Sequence, residues 1–411
     1  MSNPMNRRQF LERAGRAALA GAAVPAIHAA AANEPAATQP ALEWRNRQPG
    51  MAYTKLGRTN FMTSRVAFGA GGLFENTGGD ARLLELAVER GVNYIDTARG
   101  YGRSEAVIGQ FAKQHRDKLF VVSKARDIGW PKMTIRKGED AKCAALFSEQ
   151  LDKSLSSLGF EPVDCYMIQG AEHDWIVTMD ALYNVFEKAR KAGKVRYFGL
   201  ATHTNVGPVC ELAAQTKRYD VVMLSIHPGN AADLAPAIGK MRQAGIGVVS
   251  MKTGGKVRGD DFKDTFGGFF AGHNLTPHQK AFAWLLLRAQ VDAFNSHMPN
   301  REILEENLAV PTLPLGKAEL DAMENDLYAA YRGVCRHCGQ CNAVCPNGVR
   351  PGDLLRCHAY RVHYREDAWA ATALTECGGR ESAARCRACG ACSSRCPAGI
   401  DLPTFVGSLR A

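Results

Sequence analysis

Residues 92–102 have the sequence Val92-Asn93-Tyr94-Ile95-Asp96-Thr97-Ala98-Arg99-Gly100-Tyr101-Gly102. The first residues favour a short buried strand, because β-branched and aromatic side chains suit a pleated, packed surface. The glycines that follow are typical of a loop. Asp96 and Tyr101 therefore stand at the carboxyl end of a strand, which is where parallel barrels carry their functional residues.

The same alternation of strands and helices continues along the chain. Further strand candidates are Leu119–Lys124, Asp164–Ile168, Val195–Leu200, Val221–Leu224 and Gly247–Ser250, and amphipathic helix candidates are Arg82–Glu89, Leu146–Leu158, Ala181–Lys191 and Leu234–Ala244. Strands that alternate with helices indicate βαβ units and parallel strands. Residues 51–325 match the size of a (β/α)8 TIM barrel, which is typically about 250 residues. An open doubly wound sheet is the alternative, but no Gly-x-Gly-x-x-Gly follows the first strand.

Composition and charge exclude several classes of protein. The chain has 411 residues, of which 46% are hydrophobic and 22% charged, as in ordinary globular enzymes rather than disordered chains. No apolar run of membrane-spanning length lies outside the N-terminus, which excludes a multi-span membrane protein. The net charge of +10 is spread over the chain. We therefore expect no nucleic-acid partner, because nucleic-acid binding requires clustered basic residues.

The first 50 residues have the features of an export signal followed by a linker. Asn6-Arg7-Arg8-Gln9-Phe10-Leu11 places two arginines before a Phe-Leu pair, and an Ala/Gly-rich stretch continues to Ala32. A charged region, an apolar region and small-residue cleavage sites are typical of signal peptides, and the twin arginine indicates the Tat route. We predict a Tat signal over residues 1–32, a linker over 33–50, and a periplasmic protein without stable membrane insertion after cleavage. An amphipathic N-terminal helix is the alternative.

Three side chains near the quoted stretch favour proton transfer to a carbonyl group. Asp96 ends one strand, Lys124 ends the next, and Tyr101 lies in the loop between them. A lysine ammonium lowers the pKa of a neighbouring tyrosine, and an aspartate keeps the lysine charged and oriented. The three residues therefore predict a general-acid site, although each also suits a structural ion pair or a buried core.

With these residues in place, the sequence resembles the aldo/keto reductases over nearly all of residues 51–310. The resemblance rests on the stretches Thr54–Thr59, Asp96–Gly102, Ser123-Lys124, Ser154–Gly159, Gly193–Gly199 and Glu306–Leu308. It implies a (β/α)8 barrel, an Asp-Tyr-Lys-His tetrad, and hydride transfer from NADPH to an aldehyde or ketone without metal or flavin. By position it implies that Tyr101 is the general acid, that Lys124 lowers its pKa, and that Asp96 pairs with Lys124.

One catalytic position departs from the pattern of the family. The family histidine is replaced by Gln169, which donates a hydrogen bond to a carbonyl but does not change charge near neutral pH. We include Gln169 as the fourth catalytic residue. His173, four residues later, is either a replacement that reaches the site or a histidine of a surface loop.

The residues at the positions that bind nicotinamide in the family also depart from its pattern. Ala201, Thr202 and Met223 occupy the places of three polar residues, and a polar ligand loses affinity when its partners become apolar. NADPH stays a candidate cofactor. The family positions, together with an arginine close to them, predict that it would contact Thr202, Lys252, Arg301, Glu306 and Asn307.

The C-terminal residues 326–411 carry a different chemistry. Of the 13 cysteines, ten lie between Cys335 and Cys396, and eight of these form two runs of the type Cys-x2-Cys-x2-Cys-x3-Cys-Pro. This is the bacterial ferredoxin run, in which the fourth cysteine binds the other cluster. The spacing predicts a small helical ferredoxin-like domain with two [4Fe–4S] clusters, the first on Cys335, Cys338, Cys341 and Cys396 and the second on Cys386, Cys389, Cys392 and Cys345.

The cysteine pattern also allows a disulfide framework or a zinc site. A disulfide framework suits an exported protein and zinc suits paired Cys-x2-Cys units, but neither needs the repeated x3-Cys-Pro. A helical stretch is predicted near residues 353–374. Cys357 and Cys377 fit neither run, and they are either simple thiols, replacement ligands or a disulfide.

Together these features predict an exported iron–sulfur oxidoreductase of the aldo/keto reductase type. Its barrel would reduce a small-molecule carbonyl or oxidise an alcohol, with electrons passed through the two clusters and NADPH as a further candidate. A barrel fused to such a tail also resembles a recognised branch of the family. The alternative is a non-catalytic electron-transfer or redox-sensing subunit whose barrel is a docking scaffold. A redox protein is a candidate partner in both cases.

Overall fold

The computed structural model describes residues 41–411, except 75–79, 127, 129–134, 228, 254–274, 314, 331–332, 334, 337, 363–366 and 410–411. Residues 41–411 form one compact unit. The predicted signal peptide, residues 1–32, and the first part of the predicted linker, residues 33–40, lie outside the described residues.

Ten strands are present in the described residues, and eight of them close into a barrel. The strands are β1 (Tyr53–Lys55), β2 (Met62–Ser64), β3 (Val66–Gly69), β4 (Tyr94–Asp96), β5 (Phe120–Ala125), β6 (Val163–Ile168), β7 (Val195–Thr202), β8 (Val221–Ser225), β9 (Gly247–Met251) and β10 (Ala293–His297). β1 and β2 pair as an antiparallel hairpin, whereas β3 to β10 pair in parallel, and β10 joins β3 to β9. The predicted TIM barrel is therefore confirmed.

The helices described alternate with the barrel strands and then continue into the C-terminal residues. They are α1 (Arg82–Glu89), α2 (Ser104–His115), α3 (Asp140–Leu158), α4 (Asp174–Val177), α5 (Asp180–Lys191), α6 (Val206–Thr216), α7 (Ala231–Gln243), α8 (Pro277–Arg288), α9 (Arg301–Ala309), α10 (Lys317–Ala330), α11 (Gln340–Ala343), α12 (Pro351–Val362), α13 (Asp367–Glu376), α14 (Gly379–Ala384), α15 (Ala391–Ser394) and α16 (Leu402–Ser408). No helix in this part of the chain is long and apolar enough to cross a bilayer.

Helix α1 illustrates why the surrounding helices form. Its apolar residues Leu83, Leu84, Ala87 and Val88 are buried against the strands, whereas Glu85 is exposed. This spacing places the apolar side chains on one face of a helix of 3.6 residues per turn. The pattern of an outer apolar layer between strands and helices recurs around the barrel.

The barrel interior is filled by a second apolar layer. Phe120 of β5 stacks on Phe61 with ring centroids 4.7 Å apart and on Tyr94 with centroids 5.6 Å apart. Phe61 directly precedes β2, so the hairpin closes the N-terminal end of the barrel. Gly57 makes this closure possible, because a Cβ atom there would lie 2.2 Å from the Gly247 nitrogen, and the φ angle of Gly57 is +50°.

Residues 41–50, part of the segment predicted as a linker, pack against the N-terminal end of the barrel. Glu43 accepts a hydrogen bond of 2.6 Å from Arg196 of β7. Arg45 lies 3.1 Å from the carboxylate of Asp164 in β6, and Asn46 donates to the Val92 carbonyl at 3.0 Å.

The C-terminal residues 326–411 contain helices and no strand in their described part. The predicted helical stretch near 353–374 consists of two helices, α12 and α13. Two small apolar clusters organise this region, one around Leu355 and Leu402 and the other around Leu354, Ala383 and Val406. These helices pack on the end of the barrel formed by the carboxyl ends of the strands, which is here called the barrel mouth.

Candidate active site and cysteine-lined cavities

Lys124 and Asp96 form a buried ion pair inside the barrel mouth. Strands β4 and β5 pair with Asp96 opposite Val122, so that Lys124 lies two residues further toward the mouth. The Lys124 Nζ donates to Asp96 Oδ1 and, at 2.9 Å, to the Thr97 carbonyl. Lys124 is 1% exposed and Asp96 2% exposed, so water screens this pair very little.

Asn295 of β10 is a third member of this group that the sequence analysis missed. Its Nδ2 donates to Asp96 Oδ2 at 3.0 Å, and its Oδ1 is buried without a hydrogen-bond partner among the described residues. The only signal for it in the sequence is a polar residue that directly follows the apolar pair Ala293-Phe294. Asn295 fixes the second carboxylate oxygen of Asp96, while Lys124 fixes the first.

Burial and charge act on this pair in opposite directions. Burial lowers the pKa of Lys124, but the Asp96 carboxylate and the Tyr101 side chain outweigh it and raise that pKa overall. Burial raises the pKa of Asp96, and Lys124 and Asn295 oppose this only in part. Lys124 therefore stays an ammonium at neutral pH, with Asp96 as its counter-charge.

The structure brings Tyr101 next to this ammonium. The Lys124 Nζ lies 5.2 Å from the centroid of the Tyr101 ring. Tyr101 is held by its backbone, because its N–H donates to the Ala98 carbonyl at 3.0 Å. Gly71 packs against the ring face, where a Cβ atom would lie 3.0 Å from the ring carbon Cε2. A side chain at residue 71 would therefore require the Tyr101 ring to shift by a few tenths of an ångström.

Gln169 lies at the same end of the barrel, directly after β6. Its N–H donates to the Ala125 carbonyl at 3.0 Å. Its Oε1 lies 3.3 Å from where a Cβ atom of Gly100 would stand, in the loop that carries Tyr101. This oxygen is buried without a hydrogen-bond partner in the part of the chain that the structure describes. A buried polar atom in that position is available to a ligand.

His173 contacts the C-terminal region. It lies at the start of α4, where its Nδ1 is 2.8 Å from Nη1 of Arg350, a residue of the C-terminal region. Burial and the Arg350 charge lower the pKa of His173 to about 4, so it is neutral at physiological pH. The His173 ring is thus engaged by a residue of the C-terminal region, a position that does not support its replacing the family histidine.

Most of the predicted nicotinamide contacts are engaged within the protein. The Thr202 hydroxyl donates to the Thr204 carbonyl at 2.7 Å, and Asn307 Nδ2 donates to Ser296 Oγ at 3.1 Å. Glu306 Oε2 accepts from Thr276 Oγ1 at 3.3 Å. Lys252 and Arg301 are exposed, after β9 and at the start of α9 respectively. The positions of Ala201 and Met223 are buried in the apolar barrel interior.

A parallel barrel with this charged group at its mouth agrees with the result of sequence comparison. The family model of the aldo/keto reductase family matches residues 66–325. The chain belongs to the aldo/keto reductase family. Since its named relatives are oxidoreductases, the protein is an oxidoreductase of the aldo/keto reductase type.

Individual relatives of this aldo/keto reductase are distant. YqkF of Bacillus subtilis (strain 168), described as an uncharacterized oxidoreductase, is 28% identical over 160 residues, which is 37% of this chain and 49% of YqkF. The match thus spans about half of that relative. Morphine 6-dehydrogenase of Pseudomonas putida is 25% identical over 260 residues, covering 59% of this chain and 81% of its own.

A solved structure shares the fold of this aldo/keto reductase. The holo form of aldo-keto reductase AKR11C1 from Bacillus halodurans superposes with a TM-score of 0.56 at 19% sequence identity. The match covers 67% of this chain and 96% of the other. The part of the present chain that follows residue 325 lies beyond the match of the family model.

The C-terminal region gathers its cysteines around two cavities. Four of them line one cavity together with Thr204 and Asn205 of the barrel mouth, and they are Cys335, Cys338, Cys341 and Cys396. The other four motif cysteines line a second cavity, and they are Cys345, Cys386, Cys389 and Cys392. In each set the fourth cysteine of one run joins three cysteines of the other run.

Electrostatic coupling supports the same grouping. Burial and the charges of Cys335, Cys338 and Cys396 raise the pKa of Cys341. Among the described residues, no group of three or more His, Cys, Asp or Glu side chains is arranged to hold a single metal ion. A [4Fe–4S] cluster requires a different arrangement. Each cysteine binds a separate iron atom, so the four sulfurs lie farther apart than the ligands of a single metal ion.

Buried ion pairs fasten the C-terminal region to the barrel mouth. Arg356 of α12 donates to Glu172 Oε2 at 2.7 Å, and the two residues are 4% and 2% exposed. Arg350 donates to the Glu172 carbonyl at 3.0 Å. Burial raises the pKa of Glu172, opposed by Arg356 and by a hydrogen bond from Thr204. The sequence analysis did not single out Glu172 or Arg356, since their pairing joins residues 184 positions apart.

Proposed function

We propose that this oxidoreductase reduces a small-molecule carbonyl, or oxidises the corresponding alcohol, at Tyr101, and that its eight motif cysteines hold two [4Fe–4S] clusters. The observation that carries the proposal is the position of the first cavity. Thr204 and Asn205, which follow β7 at the barrel mouth, form one wall of the cavity that Cys338 and Cys341 also line. The cysteines that suit a redox centre thus adjoin the barrel mouth where β7 ends.

Each barrel residue has a defined task in this scheme. The Tyr101 hydroxyl donates a proton to the carbonyl oxygen during reduction and takes it back during oxidation. The Lys124 ammonium stabilises the phenolate that this transfer leaves, and Asp96 holds the ammonium in place. The Gln169 amide donates a hydrogen bond to the same oxygen, which orients the substrate without adding a second titrating group.

The cysteine cavities fit a cluster in a further respect. The Ile400 N–H donates to Cys396 Sγ at 3.4 Å in the first set, and the Ala388 N–H donates to Cys386 Sγ at 3.4 Å in the second. Such donors stabilise thiolates that bind iron and tune the reduction potential. When bound, the clusters would supply one-electron transfer.

NADPH fits the described residues less well. Carbonyl reduction consumes two electrons and two protons. NADPH would supply two electrons and one proton as a hydride, and Tyr101 the other proton, whereas the two clusters would supply one electron each and the second proton would come from solvent. However, Thr202, Glu306 and Asn307 already make hydrogen bonds within the protein. Lys252 and Arg301 are the exposed cations of the predicted set and would attract its phosphates. NADPH is therefore the second electron source to be compared by experiment.

An external redox protein is the partner that this scheme requires. Cys389 of the second set is exposed, and Arg385, Arg387 and Arg395 are exposed near it in the sequence. Positive charge there would steer an acidic electron carrier toward the second cavity, and salt would weaken the encounter. We also propose export by the Tat route from residues 1–32, which a shift from periplasm to cytoplasm in the R7K/R8K double variant would test.

The test is turnover under anaerobic conditions with two alternative donors. Cluster-loaded protein is given a panel of aldehydes and ketones with either reduced methyl viologen or NADPH, and wild type is compared with Y101F. We expect turnover with the viologen and a loss of at least about 100-fold in Y101F, typical for removal of a general acid. The iron content of Y101F should equal that of wild type.

The contrary outcomes are distinct. Equal turnover in Y101F would exclude chemistry at Tyr101. Turnover with NADPH alone would assign the electrons to a nicotinamide and remove the clusters from the reaction. No turnover with either donor, together with fast electron exchange with a redox protein, would favour the non-catalytic subunit.

A further inference from the structure

Two cysteines outside both motifs lie side by side in the C-terminal region. Cys357 is on α12 and Cys377 follows α13, and their sulfurs are 3.8 Å apart. Cys357 is buried at 6% exposure, whereas Cys377 is half-buried. Neither of them lines the two cavities that the eight motif cysteines surround. Their proximity therefore needs an explanation separate from the clusters.

We propose that Cys357 and Cys377 form a reversible disulfide, which makes them a redox-modification site distinct from the cluster ligands. The proposal does not depend on the function proposed above. It rests on the distance between two sulfurs that the packing of α12 against α13 brings together.

The geometry allows the bond with a small movement. Bonded sulfurs lie about 2.05 Å apart, so the two sulfurs must approach by roughly 1.8 Å from their present separation of 3.8 Å. The thiols now donate to backbone carbonyls, Cys357 to Asp353 at 3.2 Å and Cys377 to Leu374 at 3.4 Å. Thiols are weak donors, so losing these hydrogen bonds opposes the movement little.

The Cys357–Cys377 disulfide would form by thiol–disulfide exchange with the disulfide of a protein thiol oxidase. The Cys377 thiolate, which is the more exposed, attacks one sulfur of that disulfide, forming a mixed disulfide and releasing a thiolate. The Cys357 thiolate then attacks the Cys377 sulfur, and the oxidase leaves as a dithiol. The pair loses two electrons and two protons, and the oxidase gains them. Interaction with the neighbouring Cys357 thiol lowers the pKa of Cys377, which suits the first attack.

The bond would link two parts of the C-terminal region that have different attachments. Cys357 is next to Arg356, which α12 uses to hold Glu172 of the barrel mouth. Cys377 packs on the apolar cluster that Cys345 and Cys386 of the second cavity also contact. Oxidation would therefore fasten the surroundings of the second cavity to the helix that is anchored on the barrel.

Peptide mapping of the full chain after oxidation tests the proposal. Cluster-loaded protein is incubated with a graded series of glutathione disulfide to glutathione ratios, quenched in acid, alkylated without reductant and digested with trypsin. We expect the peptides 357–361 and 366–380 to appear as a linked pair at oxidising ratios and to separate after reduction. In C377S, Cys357 should be alkylated at every ratio. C210S, a cysteine variant in the barrel, should leave the linked pair unchanged.

Other results would overturn the proposal. One is alkylation of both cysteines in wild type throughout the series, and another is a link from Cys357 to a motif cysteine. A fall in the iron content of C377S would identify the residue as a cluster ligand instead. If C357S fails to fold, C377S provides the same test. Cys377 is less buried than Cys357, so its replacement disturbs the packing less. Iron measured in wild type shows separately whether the clusters themselves are present.

Discussion

Lys124 donates a hydrogen bond to Asp96 from the neighbouring strand, and both side chains are almost completely buried. The ammonium lies 5.2 Å from the centroid of the Tyr101 ring. The pair therefore links the stability of the barrel mouth to the charge beside the proposed proton donor. Removing the ammonium leaves a buried carboxylate without its counter-charge.

K124M is expected to lower both stability and turnover. A buried ion pair that loses one partner costs about 3–5 kcal/mol, and loss of the charge beside Tyr101 should lower kcat by at least about 100-fold. Urea unfolding and kcat measure the two effects. K153M on α3 is the matched control, because Lys153 pairs with Glu149 on the surface, and an exposed pair contributes about 0–1 kcal/mol. Unchanged kcat in K124M would contradict the role given to Lys124.

G71A tests whether the position of the Tyr101 ring matters. A Cβ atom at residue 71 would lie 3.0 Å and 3.1 Å from two ring carbons, so the ring must move. We expect kcat to fall by roughly 10-fold or more, because small misplacements of catalytic groups are costly, with little change in the melting temperature. G239A on α7 meets nothing within 4 Å, so kcat should stay unchanged, while the melting temperature should rise slightly because alanine favours a helix interior over glycine. Wild-type kcat in G71A would mean that the ring is not positioned for catalysis.

R356A is expected to destabilise the protein by about 3–5 kcal/mol, since it leaves the Glu172 carboxylate buried and unpaired. Burial raises the pKa of Glu172 above its usual 4.5. A group with a raised folded pKa stabilises fully at low pH, and this stabilisation is lost as pH rises through the folded pKa. The effect of R356A should thus be smaller near pH 4 than at pH 7.

The matched control for R356A is R361A on the same helix. Arg361 is 77% exposed at its side chain, so its loss should change stability by less than about 0.5 kcal/mol. Chemical unfolding at several pH values measures both variants. An effect of R356A that is equal to that of R361A, or that is independent of pH, would show that the Glu172 contact does not hold the two regions together.

His173 should make the protein less stable in mild acid. Its folded pKa of about 4 lies below the usual 6.5. The unfolded chain then binds the proton first, so stability is complete above pH 6.5 and is lost as pH falls from 6.5 to 4. A shift of this size corresponds to at most about 3 kcal/mol. H173Q keeps an acceptor for Arg350 and should flatten this part of the pH profile. A profile that is the same in wild type and H173Q would reject the argument.

The local elements of the fold could be predicted from the sequence because their apolar patterns are regular. The predicted strand near residues 119–124 is β5, residues 120–125, and the predicted helix at 82–89 has the bounds of α1. β3 and β10 were not predicted, since they are short and β10 carries Asn295 and Ser296 among its apolar residues. The apolar pattern predicted that Asp96 and Lys124 lie near the carboxyl ends of their strands. The parallel pairing of β4 with β5 brings the two residues together.

Contacts between distant residues could not be predicted in the same way. Asn295 donates to Asp96 across 199 positions, and Arg350 reaches His173 across 177. The sequence carries no local signal of such pairs, because the barrel closure and the packing of α12 on the mouth create them. For the same reason the pairing of Cys357 with Cys377 was one of several open interpretations before the helices were placed.

The most direct test of the account is the iron and acid-labile sulfide content of the anaerobically reconstituted chain, measured with its electron paramagnetic resonance spectrum after reduction by dithionite. Two [4Fe–4S] clusters predict about eight iron and eight sulfide per chain and a spectrum of reduced clusters. C341S should lose the signal of the first cavity, and C392S that of the second. Less than one iron per chain, or zinc in its place, would contradict the central claim. That claim is that two clusters held in the cysteine-lined cavities supply electrons at the mouth of the reductase barrel.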